Sequence, residues 1–154
     1  MKQLFILFIL AYASSLMADF VDIKADHFYA DDINKEAYFE GNAKIKQQRN
    51  EFNASKITVY FNEKKRALKY KAEGRVKFDL TENAIHYSGK SGSVTYAPRS
   101  SKYFFKGDVV LRDLTNNRTI KAEVISLDLK TGLADIKGGD NKPVHFRFEI
   151  EDRK

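Results

Sequence analysis

The sequence predicts an all-β fold built from repeated antiparallel strand units, on three observations. First, between Leu68 and Leu80 the non-polar residues Leu68, Tyr70, Ala72, Gly74, Val76, Phe78 and Leu80 alternate with Lys69, Lys71, Glu73, Arg75, Lys77 and Asp79. Strand side chains point to opposite faces with a period of two, so this stretch has one buried and one wet face; a helix would mix the two sets. At ~3.3 Å per residue it would span roughly 40 Å, so a bend is expected at Gly74. Second, the same cassette recurs around other glycines. Ala72, Val76 and Phe78 stand two before, two after and four after Gly74; Phe39, Ala43 and Ile45 do so around Gly41, and Phe105, Val109 and Leu111 around Gly107. A weaker copy surrounds Gly138, with Ile136 before it, and the spacings are 33, 33 and 31 residues. A fixed period of this size in a strand-rich chain indicates repeated β-units that share one core. Third, no segment shows an apolar helical period, and two prolines and eight scattered glycines leave no room for a linker or a second domain. The architecture follows as about a dozen strands with short turns, either a jelly-roll-like sandwich or a short β-solenoid.

Met1 to Ala18 lies outside this fold. Lys2 gives a short positive region, Leu4 to Leu10 an apolar run, and Ala11-Tyr12-Ala13 or Leu16-Met17-Ala18 a small-residue end, which together read as a cleaved secretory signal peptide. The run is short for a membrane span, which needs about 20 residues. Residues 19–154 remain as one domain with 26 basic and 21 acidic residues, a net charge of +5. With no cysteine in the chain, neither a lipid anchor nor a disulfide can form, so core and sheet must hold the fold. Export without disulfides points to a bacterial periplasm.

In order, Val21, Ile23 and Ala25 alternate with Asp22, Lys24 and Asp26 in a first strand running towards Phe28. Asp31-Asp32-Ile33-Asn34 forms a turn, and Ala37 to Lys46 holds the first cassette. Phe52 to Phe61 places Ile57, Val59 and Phe61 on one face, and Asn62 to Lys65 turns into the long strand. Ile85 to Tyr96 follows as a strand interrupted by glycines, then Tyr103 to Arg112 and Ile120 to Leu129, with Lys130-Thr131-Gly132 a tight hairpin. Val144, Phe146, Phe148 and Ile150 alternate with polar residues in a last strand.

Little catalytic chemistry is present. Ala84 to Ser91 satisfies a relaxed phosphate-loop pattern, but strand follows where that loop needs a helix. His27, His86 and His145 lie in separate strands, and the acids Asp26, Asp31 and Asp32 near His27 are explained by a turn, so no metal or other cofactor is expected. No Gly-x-Ser-x-Gly elbow exists. The chain reads as no enzyme. Lys69, Lys71, Arg75 and Lys77 could neutralise nucleic-acid phosphates, but Glu73 and Asp79 interrupt them and export removes the chain from cytoplasmic nucleic acid; a solvated outer face, or one serving phosphorylated lipid, fits better. Glu51-Phe52-Asn53-Ala54-Ser55 holds a glycosylation sequon at Asn53 with an acid two residues earlier, which Asn117-Arg118-Thr119 lacks.

Tyr38 to Ile45, Tyr103 to Leu111 and Ile120 to Leu127 resemble the strand motifs of the OstA-like family, which includes the periplasmic bridge protein of lipopolysaccharide transport. The likeness covers essentially residues 20–138, and departs where Asp140 replaces an apolar residue. It implies a V-shaped, open β-jelly roll with an apolar interior. It also implies head-to-tail stacking, and joining to an inner-membrane anchor and an outer-membrane translocon. Lipopolysaccharide would slide along the groove with its acyl chains inside. Phe39, Ile45, Ile57, Val59, Tyr70, Val76, Phe78, Phe105, Val109 and Leu111 are the expected groove residues. Unclosed sheets leave edges ready for strand addition, so Val21 and Ile23, with Leu127, Leu129 and Ile136, are the expected stacking edges. The alternatives are a membrane-anchored partner of the same system and a structural envelope β-protein with a closed core.

Overall fold

A computed structural model describes residues 20–151. The expected signal peptide falls outside these residues. Within them the secondary structure is all β: β1 (Val21–Lys24), β2 (His27–Asp31), β3 (Glu36–Gln47), β4 (Asn50–Phe61), β5 (Ala67–Glu82), β6 (Ile85–Ala97), β7 (Lys102–Asp113), β8 (Arg118–Asp128), β9 (Leu133–Lys137) and β10 (His145–Phe148). All pairings are antiparallel and the sheet runs β1-β3-β4-β5-β6-β7-β8-β10, with β2 also on β3 and β9 also on β8. The sheet is open, and its strand order is a meander.

What turns this meander into two facing layers is a line of bulges across it. On β3, β5 and β7 the ladder skips the pairs Gly41-Asn42, Gly74-Arg75 and Gly107-Asp108, and all six residues have positive φ, between 42° and 95°. Glycine leads each pair because the bend also brings a neighbour close: a Cβ on Gly74 would lie 2.7 Å from the Ser55 Cβ. Between them, β4, β6 and β8 pass the line at Ser55, Gly92 and Glu123. The bend carbonyls are satisfied locally, since the buried Ser91 hydroxyl reaches the Ser93 and Lys106 carbonyls and Ser55 Oγ donates to the Gly74 carbonyl. At the start of the chain, Asp26 N–H donates to the Gly41 carbonyl at 2.9 Å, so β1 and β2 are the two halves of one bent strand.

The first leaf contains β2, β9, the N-terminal halves of β3, β5 and β7, and the C-terminal halves of β4, β6 and β8. The second contains β1, β10 and the remaining halves. The leaves face each other. Phe78 of the second meets Phe105 of the first at 4.9 Å between ring centroids, and Phe52 meets Tyr103 at 6.2 Å. The 33-residue period is therefore one hairpin, two bent strands long.

Two expectations change. Leu68 is 39% exposed: the ladder passes from Tyr60↔Lys69 to Phe61↔Ala67, and this bulge turns Leu68 outward and Ala67 inward. Gly138 is no fourth bend, for it lies in the loop after β9 without a positive φ, its missing Cβ leaving room for the Lys142 carbonyl.

Candidate functional site

The inward faces of the leaves form one apolar groove, narrow along the bulge line and bounded opposite it by the turns at the strand ends. All ten expected groove residues lie on these inward faces. They differ in access. Ile57, Val76 and Phe105 are 0% exposed, sealed by their neighbours, whereas Phe39 and Tyr70 are half-buried. Gly89 matters to this packing: it faces Phe78 across the ladder, and a Cβ there would fall 2.8 Å from Phe78 Cζ and 1.9 Å from the Val110 carbonyl oxygen.

A polar clasp crosses the mouth. Tyr103, at the outer end of the first leaf, donates its hydroxyl to Glu82 Oε1 at 2.9 Å, at the outer end of the second. Asn50 Nδ2 donates to the same oxygen at 2.6 Å, and Asn50 Oδ1 accepts from Thr81 N–H at 2.8 Å. Tyr103 is buried and stacked on Tyr96 at 4.3 Å, and Tyr96 on Tyr70 at 6.4 Å. Burial, with Glu82 beside it, pushes the Tyr103 hydroxyl far above the ordinary tyrosine range, so it remains a donor.

The clasp divides the groove into two chambers. On the β3–β4 side, Ile45, Phe52, Ile57, Tyr70, Val94 and Tyr96 close around a small cavity of about 20 Å³, with Gln47 and Asn50 at its lip. Towards β9 and β10 a larger chamber of about 380 Å³ opens between Leu111, Ile120, Leu127, Ile136 and Phe146. At its lip the buried Asp113 accepts from Arg118 Nε at 3.0 Å and from the Asn116 backbone and side chain at 2.9 Å. Burial pushes this carboxyl up, but the hydrogen bonds from Asn116 and Arg118 outweigh it and hold it below the ordinary range. Phe52, Tyr96, Tyr103, Ile120 and Phe146 are groove residues that sequence reasoning missed, although inward parity marks each of them.

Both ends of the groove stand open beside unpaired strand edges. Phe28 of β2 packs on Phe39 at 4.9 Å yet is 57% exposed, and Phe146 of β10 is 44% exposed. Val21 and Ile23 lie on the edge strand β1, and Ile136 on the edge strand β9. Leu127 is not at an edge, because β9 pairs beyond it through Ala134, and Leu129 follows the end of β8. Asn53 sits within β4, between Lys44 and Lys77, with its amide on Glu51 Oε1 at 3.3 Å. Among the described residues no group of three or more His, Asp or Glu side chains is placed to hold a metal ion.

The geometry agrees with comparisons with known proteins. No curated protein matches the sequence. The fold is similar to the crystal structure of LptH, the LptA-homologous periplasmic component of the conserved lipopolysaccharide transport device from Pseudomonas aeruginosa. That similarity has a TM-score of 0.72 at 10% identity and covers 84% of this chain and 95% of that one, which is a likeness of fold. A family model described as LptA/(LptD N-terminal domain) LPS transport protein matches residues 22–133. The chain belongs to this family of lipopolysaccharide transport proteins.

Proposed function

We propose that this chain is a non-enzymatic periplasmic carrier that shelters the acyl chains of lipopolysaccharide between its leaves. It bridges an inner-membrane anchor and an outer-membrane translocon by strand addition at its edges, and copies stack head to tail. The observation that carries this reading is the apolar groove that opens at both ends beside unpaired strands, β1 and β2 at one end, β9 and β10 at the other. The physical need is plain: at ~0.8 kcal/mol per CH₂, a twelve-carbon chain left in water costs on the order of 10 kcal/mol. Strand addition at the edges would supply main-chain hydrogen bonds and align the groove of one copy with the next. Passage between the chambers requires the leaves to part at the clasp.

In-cell photocrosslinking tests the reading, with a photoreactive residue at Ile120 in the larger chamber, at Phe78 in the sealed centre, and at the exposed Lys106 as control, followed by blotting for lipopolysaccharide. Adducts at Ile120 and Phe78 but not at Lys106 are expected. Silence at both inward positions would instead mean a closed core, and the structural alternative would replace the carrier.

A further inference from the structure

We propose that the outer face of the second leaf binds an anionic saccharide chain, along a row of cations set by strand register. Reading straight across the ladder, Lys24 faces Lys44, Lys44 faces Asn53, Asn53 faces Lys77, Lys77 faces Lys90, Lys90 faces Val110, Val110 faces Lys121, and Lys121 faces His145. The row crosses the whole leaf from β1 to β10 without an acid. At ~4.8 Å between strands it is roughly 34 Å long. All its lysines and His145 are exposed, and among the described residues only Lys44 has an ion-pair partner, Glu51 at 3.2 Å. Like charges directly opposite one another destabilise a sheet.

The first leaf shows what an ordinary solvated row looks like. In the outward row nearest the bulge line, His27, Glu40, Lys56, Glu73, Ser93, Lys106, Val124 and Lys137 face one another, with Glu40 and Glu73 flanking Lys56, and Lys56 pairs with Glu40 at 3.5 Å. Apart from the Lys44–Glu51 pair, the lysines of the second leaf's row have no ion-pair partner among the described residues, which leaves them free to take a counter-charge from outside.

Shape and spacing select the partner. The next row outward mixes the acids Asp22, Glu51 and Asp79 with Lys46, Arg112 and Arg147, and Asp108 and Glu123 lie on the bulge side, so the single-sign strip is one side chain wide. A flat anionic bilayer would meet these acids as well, whereas an extended polyanion meets only the strip. Along it Lys24 stands beside Lys44, Lys77 beside Lys90 and Lys121 beside the His145 imidazole, these pairs being separated by Asn53 and Val110. The pairs recur every third strand, roughly 14 Å apart. A nucleic-acid strand places a phosphate every ~3.4 Å. Charges set among neutral sugars match the paired pattern better. The row faces away from the groove, on the opposite side of the second leaf from its apolar lining.

Binding of a linear hyaluronan oligosaccharide, in which each uronate is flanked by neutral amino sugars, to the full exported chain, followed by calorimetry over a salt series, tests this. Binding is expected to weaken as salt rises and to fall roughly tenfold in Lys77→Gln/Lys90→Gln. The isoelectric control Lys102→Gln/Lys106→Gln, on the outer face of the first leaf, should change affinity by less than about twofold. Absence of binding at low salt, or equal weakening in both variants, would overturn the assignment. So would binding to phosphatidylglycerol vesicles with the saccharide silent. Thermal unfolding of both variants separates lost affinity from lost fold.

Discussion

Tyr103→Phe isolates the clasp across the groove mouth. The substitution removes one oxygen and leaves the ring, so the stacking on Tyr96 at 4.3 Å and on Phe105 at 5.9 Å is retained. What is lost is the 2.9 Å bond to Glu82 and the longer 3.3 Å bond that Asn50 Nδ2 donates to the hydroxyl oxygen, while Glu82 keeps its bond from Asn50. A hydrogen bond to a charged partner contributes about 1.5–3 kcal/mol, and because Glu82 is only half-buried the lower part of that range, about 1.5–2 kcal/mol, is expected. For a domain of this length that lowers Tm by roughly 5–8 °C. Because the bond joins the leaves, the effect should also appear locally, as faster amide exchange at Thr81, whose N–H is held by Asn50 of the same clasp. A double-mutant cycle with Glu82→Gln should give a coupling of about 1 kcal/mol or more. A Tyr103→Phe chain with unchanged Tm and Thr81 exchange, or strict additivity in the cycle, would refute a clasp that holds the leaves together.

Other outcomes follow from the same coordinates. Gly89→Ala should destabilise the fold by about 2 kcal/mol or more in urea unfolding, since its Cβ has no space between Phe78 and the Val110 carbonyl; wild-type stability would show the packing to be misassigned. Asp113 carries a folded carboxyl held below its ordinary value, so its contribution is complete above about pH 4, the usual unfolded value, and disappears as pH falls through the folded one. Asp113→Asn should therefore be less stable near neutrality and lose less between neutral and acid pH; parallel pH profiles of Tm would contradict the ion pair. Edge-to-edge stacking predicts concentration-dependent rods in sedimentation velocity, and a single sharp monomer boundary over a wide range would count against it.

The sequence made some of this plain and hid the rest for identifiable reasons. Ala72, Val76, Phe78 and Leu80 point inward as alternation requires, because the Gly74-Arg75 bulge skips two residues and preserves parity. The resemblance carried by the glycine cassettes is borne out by the family match. By contrast, Ser55 and Glu123 each shift the phase by one residue, and nothing in their side chains announces it. Leu68 went wrong by the same mechanism, a bulge invisible to periodicity. The clasp was out of reach because Asn50, Glu82 and Tyr103 meet only after three strands have bent over one another. The cation row needed register too: Lys69, Lys71 and Lys77 read as one basic face, but the bend sends the first two to one leaf and Lys77 to the other.

The bulge line also makes the chain modular in length. Each 33-residue hairpin begins and ends at an equivalent bend with the same face inward, so a whole unit, for example residues 74–106, could be duplicated without turning any downstream side chain inside out. Every added unit would lengthen the groove by two strand spacings, roughly 10 Å, while the two edges stayed as they are. An insertion of one residue within a strand would invert everything beyond it up to the next turn. Reach along the groove axis is thus a quantity that a gene can change in whole hairpins, independently of what the groove holds and of what its ends join.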